Sequence, residues 1–302
     1  MIQDCSYVWF DGHLVDRSQA TIPAMSVSSQ FGITPFEGIR GYLQSAGGLG
    51  LFRFVDHVHR LLDSCQRLCI QVDLEINELQ RAVAELVIKN AIEGDFAIRI
   101  LVVVEQCSSW NTLPLIGKVL IVPVTKPRQD IQALTTEQFF HPSFVRIDNL
   151  TMPPSVKVGG NYLNGRYGAI EAKDAGVKHP VFLTRDGFVS ETGGANIFAV
   201  FGDRLITPPE DDFILRGITR DTLLAIAPRL GLAPCVERIH CELLCAADEV
   251  FLCGSAVELQ PIVNTNRQKM GQPQTTKDLL DLYLNVVSGE VEIDRNWITS
   301  VS

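Results

Sequence analysis

The stretch Ser155-Val156-Lys157-Val158-Gly159-Gly160-Asn161-Tyr162 sets a lysine just after a Pro-Pro pair and just before two glycines. Glycine lets another backbone or a flat ligand approach closely. A lysine held in a partly dry site can lose its proton and become a nucleophile that forms a Schiff base with a carbonyl group. A surface lysine fits the same short pattern, so the interpretation of Lys157 depends on the rest of the chain.

A second segment, Glu191-Thr192-Gly193-Gly194-Ala195-Asn196-Ile197-Phe198, places a carboxylate before a turn of small residues that leads into a strand. A cofactor with a basic ring nitrogen needs a nearby anion to keep that nitrogen protonated. An ordinary turn with an exposed glutamate fits the same letters, so this segment alone does not decide between the two.

A third segment, Leu215-Arg216-Gly217-Ile218-Thr219-Arg220-Asp221, is typical of the start of a helix. The N–H groups of a first turn and the positive end of the helix dipole suit a phosphate, and the Thr219 hydroxyl can also donate. A plain helix cap by Thr219 is the alternative. Gly254-Ser255-Ala256 follows a predicted strand over residues 249–253 and indicates either a second phosphate-binding turn or an ordinary turn after a strand.

Together these segments resemble the class IV aminotransferases, and most closely the branched-chain amino acid aminotransferases. The resemblance runs from about Trp9 to Pro261 and more weakly to Trp297. The matching blocks are Pro35-Phe36-Glu37-Gly38-Ile39-Arg40, then Phe52-Arg53-Phe54 with His57, Arg60 and Leu61, then Lys157 to Tyr162, then Glu191, Gly193 and Asn196-Ile197-Phe198, then Leu205 and Thr207, and finally Leu215 with Gly217-Ile218-Thr219-Arg220.

The resemblance implies an α/β chain of the α+β type, a two-domain fold type IV enzyme with pyridoxal 5'-phosphate between its domains, usually in a homodimer or a higher homo-oligomer. It assigns the Schiff base and catalysis to Lys157, the cofactor's phenolic oxygen to Tyr162 and its pyridine nitrogen to Glu191. The residues that it places around the cofactor phosphate are Arg53, Gly217, Ile218, Thr219, Gly254 and Ser255. The residues that it places on the substrate side are Phe31, Phe36, Arg40, Ala97, Arg99, Ser255 and Ala256.

The implied activity is a ping-pong transamination between an L-amino acid, branched-chain or a related hydrophobic one, and a 2-oxo acid such as 2-oxoglutarate. Lys157 would move the α-proton as a general base and then as an acid. Glu191 would keep the ring nitrogen protonated. Independently of the resemblance, Arg99 lies in an apolar strand pattern, where we expect a buried guanidinium with an anionic partner.

This chain departs from the branched-chain enzymes on the substrate side. Phe31 and Ala97 stand where those enzymes tend to have tyrosines, Ala195 replaces an acidic residue, and the interdomain loop is short and polar. A specialised biosynthetic aminotransferase for a non-standard amino acid is therefore one alternative. The others are a lyase like aminodeoxychorismate lyase, a D-amino acid aminotransferase, and a non-enzymatic scaffold that binds pyridoxal phosphate.

The predicted organisation is an N-terminal α/β domain over residues 1–124, an interdomain loop over 125–134 and a C-terminal α/β domain over 135–302 that carries Lys157. Strands are predicted at 7–10, 96–105 and 118–124, and helices at 55–69, 78–93, 162–175 and 219–230. Gly94, Gly176 and Gly231 are the predicted ends of three of these helices.

The formal net charge of -9 disfavours binding to nucleic acid or to an anionic membrane, since both attract positive surfaces. The first residues do not have the basic segment and the following apolar stretch of a signal peptide. No apolar run is long enough for a membrane span, so we expect a cytoplasmic protein. None of the eight cysteines forms a Cys-x-x-Cys pair. We therefore expect buried thiols and no metal.

Overall fold

A computed structural model describes residues 3–264, 273–293 and 296–301. By their contacts the residues divide into two compact units. The first unit comprises Met1–Arg128, Val156–Gly160 and Asn285–Ser302, and the second comprises Gln129–Ser155 and Asn161–Leu284. This division crosses the predicted loop over 125–134, but it differs from the predicted C-terminal domain because Lys157 and the end of the chain join the first unit.

Residues 3–125 contain nine strands and three α-helices. They are β1 (Gln3–Asp4), β2 (Tyr7–Phe10), β3 (His13–Asp16), α1 (Val27–Phe31), β4 (Phe36–Leu43), β5 (Leu49–Phe52), α2 (Phe54–Arg67), β6 (Ile70–Gln71), α3 (Ile76–Lys89), β7 (Phe96–Val103), β8 (Leu115–Ile116) and β9 (Lys118–Thr125).

The later part of the chain alternates strands and helices. Its elements are β10 (Glu137–Phe140), α4 (Tyr162–Asp174), β11 (His179–Pro180), β12 (Asn196–Phe201), β13 (Arg204–Thr207), α5 (Ile218–Ile226), β14 (Ala233–Val236), α6 (Cys241–Leu244), β15 (Glu249–Gly254), β16 (Glu258–Asn264), α7 (Gln274–Val287) and β17 (Ile298–Ser300).

Within the described residues, the first unit is built on an eight-stranded sheet in the order β17-β5-β4-β7-β9-β2-β3, with β1 beside β9. Alternate residues of a strand point to opposite faces. On β7, Phe96, Ile98, Ile100 and Val102 therefore enter the core that α2 and α3 also fill. The intervening residues Ala97, Arg99 and Leu101 face away from that core, on the same side of the sheet as Phe36 and Arg40 of β4.

The second unit, over the same described residues, has a seven-stranded sheet in the order β11-β10-β16-β15-β12-β13-β14. The central strands β12 and β15 pair antiparallel and are buried almost throughout, as their unbroken apolar runs predict. The described residues contain no helix with both the length and the apolar character needed to cross a membrane.

Most predicted elements are confirmed, but the helix ends and the thiols need correction. The helix α3 ends at Lys89 rather than at Gly94, and α2 ends at Arg67, so Cys69 lies outside it with a left-handed φ of 51°. Gly176 follows α4 after Ala175, and Gly231 follows the 3-10 turn Ala227–Leu230 that extends α5; their φ values are 70° and 75°. All eight cysteines are free, yet only Cys5, Cys65 and Cys253 are buried, so the general expectation of buried thiols is wrong.

Candidate active site

The backbone of Lys157 is fixed within the first unit. Its N–H donates to the Ser64 hydroxyl of α2 at 3.1 Å, and its carbonyl accepts from the N–H of Phe36 at 3.1 Å. The N–H of Gly159 donates to Thr34 at 3.1 Å, and a Cβ at Gly159 would lie 3.2 Å from the Gly32 carbonyl oxygen. The glycine after the lysine therefore serves close backbone approach, as its position in the sequence suggests.

The Lys157 side chain is only partly buried, and its Nζ atom lies 4.9 Å from the centre of the Phe36 ring. The guanidinium carbon of Arg99 lies 4.8 Å from the same ring centre. Two cationic groups therefore approach one aromatic ring on the non-core face of the first sheet, an arrangement that favours a negatively charged ligand there.

Strand register brings four predicted substrate residues onto this face: Phe36, Arg40, Ala97 and Arg99. Arg40 pairs with Ala97 and Gly38 pairs with Arg99 across β4 and β7, so a small residue stands opposite each arginine. A Cβ at Gly38 would meet no atom within 4 Å. Arg40 is buried with its guanidinium 5.1 Å from the centre of the Tyr42 ring, whereas Arg99 is exposed.

The expectation of a buried Arg99 is therefore wrong, because its position on β7 turns the guanidinium away from the core. Phe31 lies at the end of α1, just before Gly32, whose φ of 67° ends the helix. The Phe31 side chain is 41% exposed, so it is available to a ligand rather than committed to the core.

A buried polar cluster on the opposite face of β4 did not emerge as a unit from the sequence. Glu37 is fully buried and accepts from Arg60 at 2.7 and 2.9 Å, and His57 Nδ1 lies 2.7 Å from Glu37. Burial opposes ionisation of Glu37, but Arg60 and His57 outweigh it and hold its pKa well below the usual value. The helical spacing of His57 and Arg60 beside a strand glutamate was the available signal.

Arg53, a predicted phosphate residue, begins α2 with a left-handed φ of 51°. Its side chain donates to Asp56 at 2.6 Å, and its guanidinium carbon lies 4.9 Å from the centre of the Trp297 ring. These contacts hold the guanidinium in one orientation within the first unit.

In the second unit, Glu191 is 3% exposed and three groups converge on its carboxylate. Arg146 donates to Oε1 at 2.6 Å, the N–H of Leu215 donates to the same atom at 3.1 Å, and the Asn196 amide donates to Oε2 at 2.9 Å. The alternative of an exposed glutamate is therefore wrong. Arg146 was missed, although an arginine inside the apolar run 144–147 was a signal of a buried charge.

The turn after Glu191 is packed closely against the start of α4. A Cβ at Gly193 would lie 2.8 Å from the Gly165 Cα, and a Cβ at Gly194 would lie 3.9 Å from the Tyr162 ring. The Thr192 hydroxyl accepts from the N–H groups of Gly194 at 3.2 Å and Ala195 at 2.9 Å. Glycine is needed at 193 because α4 leaves no room there for a side chain, whereas the distance at Gly194 is an ordinary contact.

Gly217 precedes α5 and contacts the same network. A Cβ at Gly217 would lie 1.7 Å from the Asn196 Oδ1 atom, so only glycine fits. Ile218 and Thr219 open the helix and are buried. First-turn N–H groups have no acceptor within their own helix and suit an anion. Thr219 is not the helix cap, since Gly217 occupies that position.

The β15–β16 turn holds the remaining predicted residues. The N–H of Val257 donates to the Gly254 carbonyl at 3.1 Å, so Ser255 and Ala256 occupy the two central positions. Ser255 is half-buried and Ala256 is exposed. Gln129, which the sequence did not single out, donates from its side chain to the carbonyls of Val257 at 3.0 Å and Leu259 at 2.8 Å.

These donor sets fit pyridoxal phosphate. The buried Glu191 carboxylate, held by Arg146 and Asn196, suits a protonated ring nitrogen, and the first turn of α5, which follows Gly217, suits a phosphate. Among the described residues, no group of three or more histidine, cysteine or acidic side chains could hold a metal ion.

Comparison with known proteins gives a consistent result. The family model for amino-transferase class IV matches residues 34–265. The branched-chain-amino-acid aminotransferase of Escherichia coli strain K12 is 30% identical, over 98% of this chain and 97% of that protein. A crystal structure of a branched-chain aminotransferase from Thermoproteus uzoniensis with norvaline is 34% identical, with a TM-score of 0.91 over 99% of this chain and 100% of that one.

A branched-chain amino acid aminotransferase from Thermobaculum terrenum, solved in its PLP-form, is 30% identical, with a TM-score of 0.91 over 99% of each chain. These findings confirm the resemblance, the fold type IV class and the activity class of a pyridoxal-phosphate-dependent aminotransferase that the sequence predicts. The chain belongs to the class IV aminotransferase family.

Proposed function

We propose that this chain moves the amino group of a branched-chain or related hydrophobic L-amino acid to 2-oxoglutarate in a ping-pong cycle, with pyridoxal 5'-phosphate as cofactor. The observation that carries the proposal is the buried Glu191 carboxylate with its three donors, beside the glycine that opens α5. Arg146 and two amide donors compensate the buried charge of Glu191 and fix its orientation, and a fixed carboxylate is what a protonated ring nitrogen requires.

The proposed roles follow the family resemblance residue by residue. Lys157 supplies the amine that carries the cofactor and then moves the substrate's α-proton, while its backbone is fixed by Ser64 and Phe36. When bound, the cofactor supplies a ring that accepts electrons from the substrate's α-carbon. Tyr162 donates to the phenolic oxygen. The phosphate is held by Arg53, Gly217, Ile218, Thr219, Gly254 and Ser255, and the Ser255-Ala256 backbone holds the substrate carboxylate.

The non-core face of the first sheet is the proposed substrate side, with Phe36, Arg40, Ala97 and Arg99, and we assign Phe31 at the end of α1 to the same substrate. Ala97 and Gly38 leave space beside the two arginines, and neither Phe31 nor Ala97 offers a hydroxyl. These features support a second candidate within the same chemistry, a specialised biosynthetic aminotransferase whose donor is a non-standard amino acid with a larger side chain.

We also propose a homodimer in the cytoplasm. The α4 residues Leu163, Tyr167 and Ile170 are 63%, 52% and 45% exposed on one helical face, and Phe144 stacks on Tyr167 at 5.1 Å. An exposed apolar face of this size favours association. Sedimentation velocity should give twice the 33.4 kDa mass of the chain, and a single-chain mass would contradict the dimer.

An absorption titration tests the activity. The purified chain is loaded with pyridoxal phosphate, and its visible band is recorded as single L-amino acids and then 2-oxoglutarate are added. We expect the band to bleach with a hydrophobic donor and to return with 2-oxoglutarate. A loaded protein whose band does not respond to any donor would contradict transamination. If a bulky non-standard donor reacts faster than valine, leucine and isoleucine, the specialised candidate is favoured.

A further inference from the structure

The Gln129 side chain spans the end of the turn that contains Ser255 and Ala256. Its amide nitrogen donates to Val257 at 3.0 Å and to Leu259 at 2.8 Å, the carbonyls on either side of Glu258. The backbone N–H of Gln129 donates to the Glu258 carboxylate at 2.5 Å. One residue therefore makes three hydrogen bonds to three consecutive residues.

The conformation of Glu258 shows why such a clamp is needed. Its φ is 52°, in the left-handed region that residues other than glycine rarely adopt, and its side chain is 3% exposed. A strained residue persists where its surroundings hold it in place. Gln129 bonds the carbonyl before Glu258, the carbonyl after it and its carboxylate, so it holds both the backbone and the side chain of the strained residue.

The strained residue also determines where the turn points. Glu258 pairs with Gly254 at the closing rung of the β15–β16 hairpin, so its backbone angles set the direction of the intervening residues 255–257. The N–H groups of Ser255 and Ala256 lie at the tip of this turn. A small change at Glu258 would therefore move these groups relative to any anion that they bind.

Gln129 is also where the chain enters the second unit. The preceding residue, Arg128, is bonded within the first unit, with Nε 2.7 Å and Nη2 3.0 Å from the carboxylate of Asp95. Arg128 and Gln129, on the two sides of one peptide bond, are thus each held by hydrogen bonds within their own unit.

We infer that Gln129 is a positioning residue for substrate binding: through Val257, Glu258 and Leu259 it sets the geometry of the Ser255-Ala256 turn that receives the substrate's α-carboxylate. This inference rests on the proposed function, which assigns the carboxylate to that turn. Gln129 itself does not touch the substrate.

The test compares Gln129→Met with Gln132→Ala in the protein loaded with pyridoxal phosphate. Methionine keeps the length of the side chain and the backbone N–H but loses the two side-chain donor bonds. Gln132 is exposed in the same segment and is the control. The probe is 4-methylvaleric acid, a branched carboxylic acid that cannot be transaminated, with binding measured by calorimetry.

We expect Gln129→Met to weaken binding of 4-methylvaleric acid by about tenfold, the usual cost of one or two hydrogen bonds, and to raise KM for the amino donor more than it lowers kcat. Gln132→Ala should match the original protein. Equal affinity in Gln129→Met and Gln132→Ala would overturn the inference. If the original loaded protein fails to bind the probe at all, the proposed function is contradicted instead.

Hydrogen exchange keeps the test decisive if Gln129→Met is less stable. Peptides covering residues 254–259 should exchange faster in Gln129→Met than in Gln132→Ala, while peptides from β12 should exchange equally in both. Faster exchange throughout the second unit, or unchanged exchange at 254–259, would mean that Gln129 has only a general structural role and would overturn the inference.

Discussion

Arg146 donates a 2.6 Å hydrogen bond to Glu191 Oε1, and the two side chains are only 7% and 3% exposed. A buried ion pair of this kind adds little stability as a pair, but loss of one partner leaves a buried charge without compensation. The relationship between these two residues therefore links the stability of the second unit to the carboxylate that we assign to the cofactor.

Arg146→Met should destabilise the protein by about 3–5 kcal/mol, because Glu191 loses its cationic partner inside the protein. Urea unfolding of the protein without added cofactor measures this change. The double variant Arg146→Met with Glu191→Gln should recover a large part of the loss, since the remaining amide carries no charge. If both variants are equally unstable, the ion pair is not the source of the effect.

Gly217→Ala should weaken cofactor binding, because its Cβ would lie 1.7 Å from Asn196 Oδ1 and must push aside the amide that bonds Glu191. Overpacking of this kind costs about 1–3 kcal/mol. Gly94→Ala is the matched control, since a Cβ there meets no atom within 4 Å. Equilibrium dialysis against pyridoxal phosphate measures the affinity, and equal retention by the two variants would contradict the role of Gly217.

The stability of the protein should fall on mild acidification, in part because of His57. Burial lowers the pKa of His57, and the charges of Arg60 and Lys157 act in the same direction against the opposing effect of Glu37. A histidine whose pKa is lowered by folding binds its proton more readily in the unfolded chain. Its contribution is therefore complete above its usual pKa of 6.5 and is lost as the pH falls toward the lower folded value.

Thermal unfolding at pH 7.5 and at pH 5.5 measures this dependence. His57→Gln should show a smaller fall in Tm between the two values than the original protein. His59→Gln, in which an exposed histidine of the same helix is replaced, should show the original fall. An unchanged fall in His57→Gln would contradict the assignment to His57.

Phe31→Tyr should improve the use of glutamate as an amino donor relative to leucine. The exposed ring would then carry a hydroxyl that can donate a hydrogen bond to the side-chain carboxylate of glutamate. A hydrogen bond to a charged group contributes about 1.5–3 kcal/mol, so KM for glutamate should fall by about tenfold to a hundredfold. Phe201→Tyr, at a half-buried phenylalanine at the end of β12, should leave the KM for glutamate unchanged. If the two variants have the same ratio of glutamate to leucine activity, residue 31 does not select the side chain of the amino donor.

The sequence predicts the elements because their signals are local. The strand predicted over residues 7–10 is β2, and β7 and β12 appear as apolar runs in the sequence alone. The motifs around Lys157, Glu191 and Gly217 also identify the family, since each needs only a particular residue type at a fixed spacing. Helix ends are less certain, because Gly94 resembles a terminator although α3 ends at Lys89.

By itself, then, the sequence determined the family and its class of chemistry and the positions of several of the longer strands and helices, and it singled out the lysine and the carboxylate that we propose for that chemistry. Only the tertiary structure decided that Arg146 is the partner of Glu191, that Glu37, His57 and Arg60 form one buried cluster, and that Gln129 holds Glu258. The reason is physical: these partners lie far apart in the chain, and burial, strand register and hydrogen-bond geometry arise only when distant segments pack together.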